Sequence, residues 1–318
     1  MLVAMDKKLA YQASKCYVIL PVFNDHRSCL MLLKQIDKLE IKVNFKVIVI
    51  DDASALLDRG YNELKGFKPK NAIESVDILE LDSNLGVNGA IYEGLTYAFM
   101  NAKSKDLFLV MDSDGEDSPN DIQKLIVKYK KGTVVVAKRR GFSRSLRFNL
   151  WRTIFITVMK FTTSKMVNFG NFSLFDFEVS QKLFKSRDLR ISYVGTVLAA
   201  GVQIIKVPIK RGERYIGKSV SGRFGQIQFG FRIMSCFIDL VLTRILQLCF
   251  MFLIANLIGV VTIIYLKLAS EAVIPGWASL ILVILASSSV QLVFTLSMLI
   301  LVYIHLQRLF LTTKDYLN

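Results

Sequence analysis

Histidine is nearly missing from this chain. His26 and His305 are its two copies in 318 residues, which leaves histidine-based metal centres and catalytic triads without material. The four cysteines, Cys16, Cys29, Cys236 and Cys249, have no CxxC spacing, so no zinc site is expected and a reduced, cytoplasmic setting is. Acidic residues are the minority charge, 26 against 41 Lys and Arg, and the net charge of +15 calls for an anionic partner. No nucleic-acid-binding motif accompanies that charge, so a membrane surface is expected and nucleic acid is not. A signal peptide is not expected either: Lys7 and Lys8 precede an apolar run, 17–22, that is too short and is interrupted by Pro21.

Apolar residues are in excess, at 53% of the chain with a mean hydropathy of +0.41, and most of the excess follows Asp239. Residues 240–266 hold one charge, Arg244, and residues 274–306 hold no Asp, Glu, Lys or Arg. Each stretch exceeds the roughly 20 residues that cross a bilayer. Lys206, Lys210, Arg211, Arg223 and Arg232 precede the first stretch, and Arg308 and Lys314 follow the second. The positive-inside rule then predicts a multi-pass protein of the cell (inner) membrane with its N-terminal domain and C-terminus in the cytoplasm. Gly259, Gly276 and Ser287 to Ser289 would allow close helix packing, including between subunits of a homo-oligomer.

The N-terminal part alternates apolar runs with amphipathic stretches. Strands are expected over 17–20, 46–50, 75–81, 107–111 and 133–137, with helices over 28–39 and, after the loop that ends at Gly89, through Met100. That alternation predicts a mostly parallel, doubly wound α/β sheet, in which ligands bind beyond the C-terminal strand ends. Acids collect there. LFLVMDSDGEDSP (107–119) carries Asp112 and Asp114 out of a buried strand, where both carboxylates can turn toward one hard cation, Mg²⁺ or Mn²⁺. The plainer alternative is a solvated acidic turn, with Asp117 or Ser118 capping a helix that has Pro119 at its first position. Asp51 and Asp52 end the second strand and can accept hydrogen bonds from a nucleobase and a ribose. Gly86 and Gly89 clear side chains where the backbone passes near a ligand.

As a set, ILPVFND (19–25), VIVIDDAS (47–54), NLGVNGAI (84–91) and VMDSDGEDSP (110–119) resemble the ordered motifs of family 2 GT-A glycosyltransferases. Within that family the sequence is most similar to the dolichyl-phosphate mannosyltransferase and bacterial undecaprenyl-phosphate sugar transferase group. The resemblance implies a GT-A sheet domain whose nucleotide-sugar donor is held by Pro21, Val22, Asn24, Asp51, Asp52, Asn84, Gly86, Asn88, Asp112, Ser113 and Glu116. Asp112 and Asp114 are then the metal pair. Glu116 stands where many relatives have Gln.

From Lys138 the composition turns basic and aromatic. That pattern is either a solvated cationic face or, as preferred, an interfacial amphipathic helix over about 143–165 whose arginines meet anionic headgroups. The family resemblance implies that Lys138, Arg139, Arg140, Arg144 and Arg147 engage the acceptor phosphate. FGNFSLFD (169–176) puts Asn171 where relatives often have an Asp proposed as the catalytic base, and an amide cannot take a proton at neutral pH. A lipid monophosphate, largely ionised at that pH, needs no base. VPIKRGERYIGKSVSG (207–222) matches the stretch in which Arg214, Gly217, Lys218 and Ser219 lie near the donor diphosphate or the acceptor phosphate. Asp114, Asn171, Arg214 and Lys218 form the expected catalytic set.

The expected organisation is a polar lead (1–15), a cytoplasmic GT-A domain (16–232) and a two-helix transmembrane region with a short tail (233–318). The expected activity is inverting transfer of a sugar from a nucleotide donor to polyprenyl phosphate. Two alternatives stand beside it. One is a catalytically silent, membrane-tethered nucleotide-sugar-binding protein. The other is a polysaccharide synthase, disfavoured by having two spans and no QxxRW motif after the sheet.

Overall fold

Apolar runs that end in acids become strands buried on both faces. Cys16–Val22 (β1), Phe45–Asp51 (β2) and Leu107–Val110 (β4) have almost no exposed side chains, as strands inside a parallel sheet require. The computed structural model describes residues 15–55, 60–140, 146–217, 223–269 and 276–315. They fall into two compact units, Met1–Ile238 and Asp239–Asn318.

The first unit is built on a seven-stranded sheet in the order β3-β2-β1-β4-β6-β5-β7, completed by Ile73–Glu80 (β3), Thr133–Arg140 (β5), Ser173–Asp176 (β6) and Gln203–Lys210 (β7). Neighbouring pairs are parallel except those made by β6, which is antiparallel to both β4 and β5. The edge strands β3 and β7 carry exposed charges, Glu74 and Glu80 on one and Lys206 and Lys210 on the other, which discourages edge-to-edge pairing.

Strand periodicity sorts the core into two layers. Val18, Leu20, Val47, Val49, Leu107 and Leu109 face one side, with His26–Ile36 (α1) and Asn120–Lys128 (α4) supplying Leu32, Leu33, Ile36, Ile122 and Leu125. The intervening Tyr17, Ile19, Ile48, Ile50, Phe108 and Val110 face the other. There Gly86–Asn101 (α3), Phe177–Phe184 (α6), Tyr193–Ala199 (α7) and Arg223–Ser235 (α8) cover the sheet with Ile91, Leu95, Val179, Val194 and Ile233. Phe108 stacks between Tyr17 and Phe175, its ring 5.6 Å from Phe175 and nearly parallel to it. The short helix Tyr61–Lys65 (α2) follows β2, and Leu146–Thr163 (α5) occupies most of the region expected to be an interfacial helix.

All five expected strands are present, and two more, β6 and β7, are not among those expected. Helix α4 begins at Asn120 with Pro119 at its cap, and Asp117 is fully buried instead of capping it in solvent.

The second unit consists of Ile238–Ala269 (α9), apart from its first residue, and Trp277–Asp315 (α10). Both are long and apolar enough to cross a membrane. Only 11% and 0% of their most apolar described stretches are buried, where a soluble core helix would be mostly covered. Ser288 Oγ donates to Asn256 Oδ1 at 3.2 Å, a polar contact between the two helices.

Candidate active site

Four strand ends are stitched together by hydrogen bonds from the loops that leave them. Ser113 Oγ donates to Pro21 O at 2.7 Å, joining the loop after β4 to β1. Asp52 N donates to Val22 O at 2.9 Å, and Leu85 N donates to Asp52 Oδ1 at 2.6 Å, so β1, β2 and the start of α3 share one edge. Gly86 opens α3 with φ +72°, a conformation that favours glycine, and Asn84 Oδ1 accepts its N–H. Gly89, by contrast, makes room for its neighbours: a Cβ there would meet Leu85 Cβ at 2.4 Å.

Several expected donor residues have internal duties. Asp51 is buried, with Oδ2 3.1 Å from His26 Nε2 and Oδ1 accepting from Ser54 N, so it shapes the loop. Asn24, itself at φ +53°, accepts from Ala55 N and donates its own N–H to Ser54 Oγ. Asn88 is buried and accepts from Tyr193 N, which ties α3 to α7. Asp52 is the better-placed acceptor, since Oδ1 alone has a partner among the described residues.

The acidic loop after β4 meets three guanidinium groups. Asp112 accepts from Arg139 Nη2 at 3.3 Å and from Asn171 Nδ2 at 3.2 Å. Asp114 Oδ2 accepts from Arg214 Nη2 at 2.6 Å and Nε at 3.2 Å, while Oδ1 accepts from Glu116 N. Glu116 pairs with Arg211 and lies 3.7 Å from Arg139 Nη1. Asp117, fully enclosed, takes Arg139 Nη2 at 2.6 Å and the N–H of Asp112 at 3.1 Å. Burial and the neighbouring Asp112 push the Asp117 carboxyl up to about 7, against the pull of Arg139.

Asn171 reaches this cluster because β6 is antiparallel to β4. The register pairs Val110 with Ser173, and its continuation sets residue 171 opposite Asp112. Only the amide nitrogen can donate to a carboxylate, so the contact fixes the amide orientation and leaves Asn171 Oδ1 buried without a partner.

Asp117, Arg211 and His26 are the site-forming residues that the sequence did not single out. The acid run flags the first, but nothing local says which acid is enclosed. Arg139, expected at the acceptor phosphate, turns onto the acids, and Lys138 is exposed. Arg144, Lys218 and Ser219 lie outside the described residues. Arg140 and Arg147 are placed by their backbone alone, at the end of β5 and in the first turn of α5.

The donor set suits a hard divalent ion. Asp112 and Asp114 offer carboxylate oxygens, and no cluster of three or more His, Cys, Asp or Glu ligands occurs among the described residues. Such a pair matches an ion that keeps its remaining positions for phosphate and water. Both carboxylates would have to exchange guanidinium partners for the ion.

The proteins to which the chain is similar include the following three. The uncharacterized glycosyltransferase YkcC of Bacillus subtilis (strain 168) is 25% identical over 284 residues, covering 86% of this chain and 84% of that protein. Dolichol-phosphate mannosyltransferase of Pyrococcus furiosus is 28% identical over 126 residues, covering 40% of this chain but 33% of the enzyme. Mannosyltransferase PcManGT from Pyrobaculum calidifontis, solved with GDP-Man and Mn²⁺, superimposes with a TM-score of 0.50 at 14% identity, covering 93% of this chain and 90% of that one. It supports a shared GT-A-like fold. The family model Glycosyl transferase family 2 matches residues 17–190, more than half the chain, and the protein therefore belongs to that family of glycosyltransferases.

Proposed function

We propose that this glycosyltransferase moves a sugar from a nucleotide donor to the phosphate of a polyprenyl lipid at the cytoplasmic face of the cell membrane, inverting the anomeric carbon. The observation that carries the reading is the set of Asp112, Asp114, Arg139 and Arg214 at the end of β4, in a chain that ends in two exposed apolar helices. The partial match to the dolichol-phosphate enzyme supports the acceptor class.

In this reading Asp52 accepts from the nucleobase or ribose, at the edge shared by β1, β2 and α3. A divalent ion, Mg²⁺ or Mn²⁺, held by Asp112 and Asp114 would offset charge developing on the departing diphosphate. Arg214 is placed to do the same by direct hydrogen bonds. Asn171 cannot serve as a base, and an ionised phosphate acceptor does not ask for one. The unit ending at Ile238 acts as the catalytic domain and α9 and α10 as its membrane anchor, which raises the effective concentration of an acceptor confined to the bilayer. Ile154, Val158 and Phe161 on α5, spaced at three to four residues and exposed, would face the lipid boundary.

The test presents purified protein with polyprenyl phosphate, Mg²⁺ or Mn²⁺, and a panel of radiolabelled nucleotide sugars. Label should pass into organic solvent with at least one donor, and Asp114→Ala should abolish this while the circular dichroism spectrum is unchanged. No extraction with any donor refutes the function, and near-parental turnover by Asp114→Ala refutes the metal assignment.

A further inference from the structure

The segment that follows β7 lies across the acidic loop like a strap. Gly212 N donates to Glu116 O and Tyr215 N donates to Asp114 O, both at 2.9 Å, while Tyr215 OH reaches Gln35 Oε1 on α1 at 2.9 Å. Two glycines permit the approach. A Cβ on Gly212 would stand 2.6 Å from Gly115 O, and one on Gly115, at φ +90°, would stand 2.6 Å from the Tyr215 ring. Arg211 and Arg214 leave this strap to hold Glu116 and Asp114.

That pairing has a consequence for ligand uptake. Both oxygens of Asp114 are committed, Oδ1 to Glu116 N and Oδ2 to the two nitrogens of Arg214. A divalent ion arriving alone must displace Arg214 from Asp114 and forfeit those charge-assisted bonds, in a site where the arginine side chain is 23% exposed. A diphosphate arriving alone finds the same guanidinium occupied. Arriving together, the ion takes the carboxylate and the diphosphate offers the arginine a bidentate acceptor, so each ligand removes the obstacle to the other.

Resting on the donor reading above, we infer that Arg211 and Arg214 are exchange partners. They hold Glu116 and Asp114 while the site is empty of ligand, pass to the diphosphate when it binds, and thereby make cation and nucleotide uptake mutually dependent. Arg211 thus joins Arg214 as a positioning residue for the donor, a role distinct from that of a general cytoplasmic-loop cation.

The test measures Mn²⁺ binding to the full-length protein in detergent micelles by the electron paramagnetic resonance signal of the free ion, first without nucleotide. Arg214→Gln should bind Mn²⁺ roughly tenfold more tightly than the parent, the effect of removing one charge-assisted competitor. Arg214→Lys, which keeps the charge and loses the two-nitrogen fork, should gain about threefold and serves if the Gln variant does not fold. Lys210→Gln removes the same charge just before the strap, where Lys210 is exposed, and should stay within about twofold of the parent. Saturating UDP or GDP should then tighten Mn²⁺ binding by more than about tenfold in the parent and by less in Arg211→Gln/Arg214→Gln. Equal Mn²⁺ affinity in Arg214→Gln and the parent overturns the inference. So does an equal gain in Arg214→Gln and Lys210→Gln, which would mark an effect of net charge. Failure of the donor reading has a different signature: neither UDP nor GDP binds, with or without Mn²⁺, whatever Arg214→Gln does to the ion.

Discussion

Asn171→Asp asks why an amide stands beside Asp112. The amide nitrogen lies 3.2 Å from Asp112 Oδ1, so an introduced carboxylate would face the existing one across a similar gap. At about 4 Å between charge centres and an effective dielectric constant of about 20, the repulsion is about 4 kcal/mol. Arg139, 3.3 Å from Asp112 Oδ2, offsets part of it. The net cost at pH 8 is then on the order of 2–3 kcal/mol. Taking up a proton relieves the repulsion and restores a donor toward Asp112. The introduced carboxyl therefore has a folded pKa above its unfolded value of about 3.9. Its contribution to stability is full below that value and lost as pH rises through the folded one. Protonation at pH 5 still costs about 1.5 kcal/mol, so the variant should trail the parent there by roughly 3–5 °C in apparent melting temperature, and by roughly 5–10 °C at pH 8. Thermal unfolding followed by circular dichroism, in chelator and at both pH values, measures this. Mn²⁺ should recover most of the loss at pH 8 by sitting between the carboxylates. A deficit of equal size at pH 5 and pH 8 would show that packing, and not charge, makes residue 171 an amide.

Two further substitutions test how the fold holds the site. Asp37 accepts the backbone N–H groups of Lys70, Asn71 and Ile73 at 2.9–3.1 Å, fixing the start of β3. Although burial works the other way, those bonds hold its carboxyl below the usual range. Its stabilisation is therefore present above the unfolded value of about 3.9 and lost as pH falls through the folded one. Asp37→Ala should cost about 3 kcal/mol at pH 7, near 1 kcal/mol for each orphaned donor, with a smaller deficit below pH 3 in thermal unfolding. On α3, Gly94→Ala would bring a Cβ to 2.5 Å from Ile50 Cδ1 and 2.8 Å from Ile19 Cγ2. Lifting the helix off β1 and β2 should cost about 1–3 kcal/mol. Because the same helix carries the Leu85 N–H that fixes Asp52, the donor KM should rise more than kcat falls.

Five strands are legible in the sequence: β1, β2, β4 and β5 as local apolar runs, nearly continuous in β1, β2 and β4 where both faces are buried, and β3 as apolar residues interspersed with acids. β6 is not legible: SLFD is four residues long, and only its partners β4 and β5 make it a strand. β7 is hidden differently, since QIIKVPIK mixes exposed lysines and Pro208 with apolar residues of which two are buried and two half-buried, the composition of an edge. These two strands decide which charges meet. β6 reverses direction, so β5 again runs parallel to β4 and β7 follows β5, which returns the ends of β4, β5 and β7 to one side of the sheet. Arg139 at the end of β5, Arg211 and Arg214 beyond β7, and Asn171 just before β6 thus arrive on the acids 112–117 from separations of 22 to 100 residues. A periodicity argument can place an acid at a strand end, but the cation it faces is chosen by strand order, and strand order here turns on one antiparallel strand too short to announce itself.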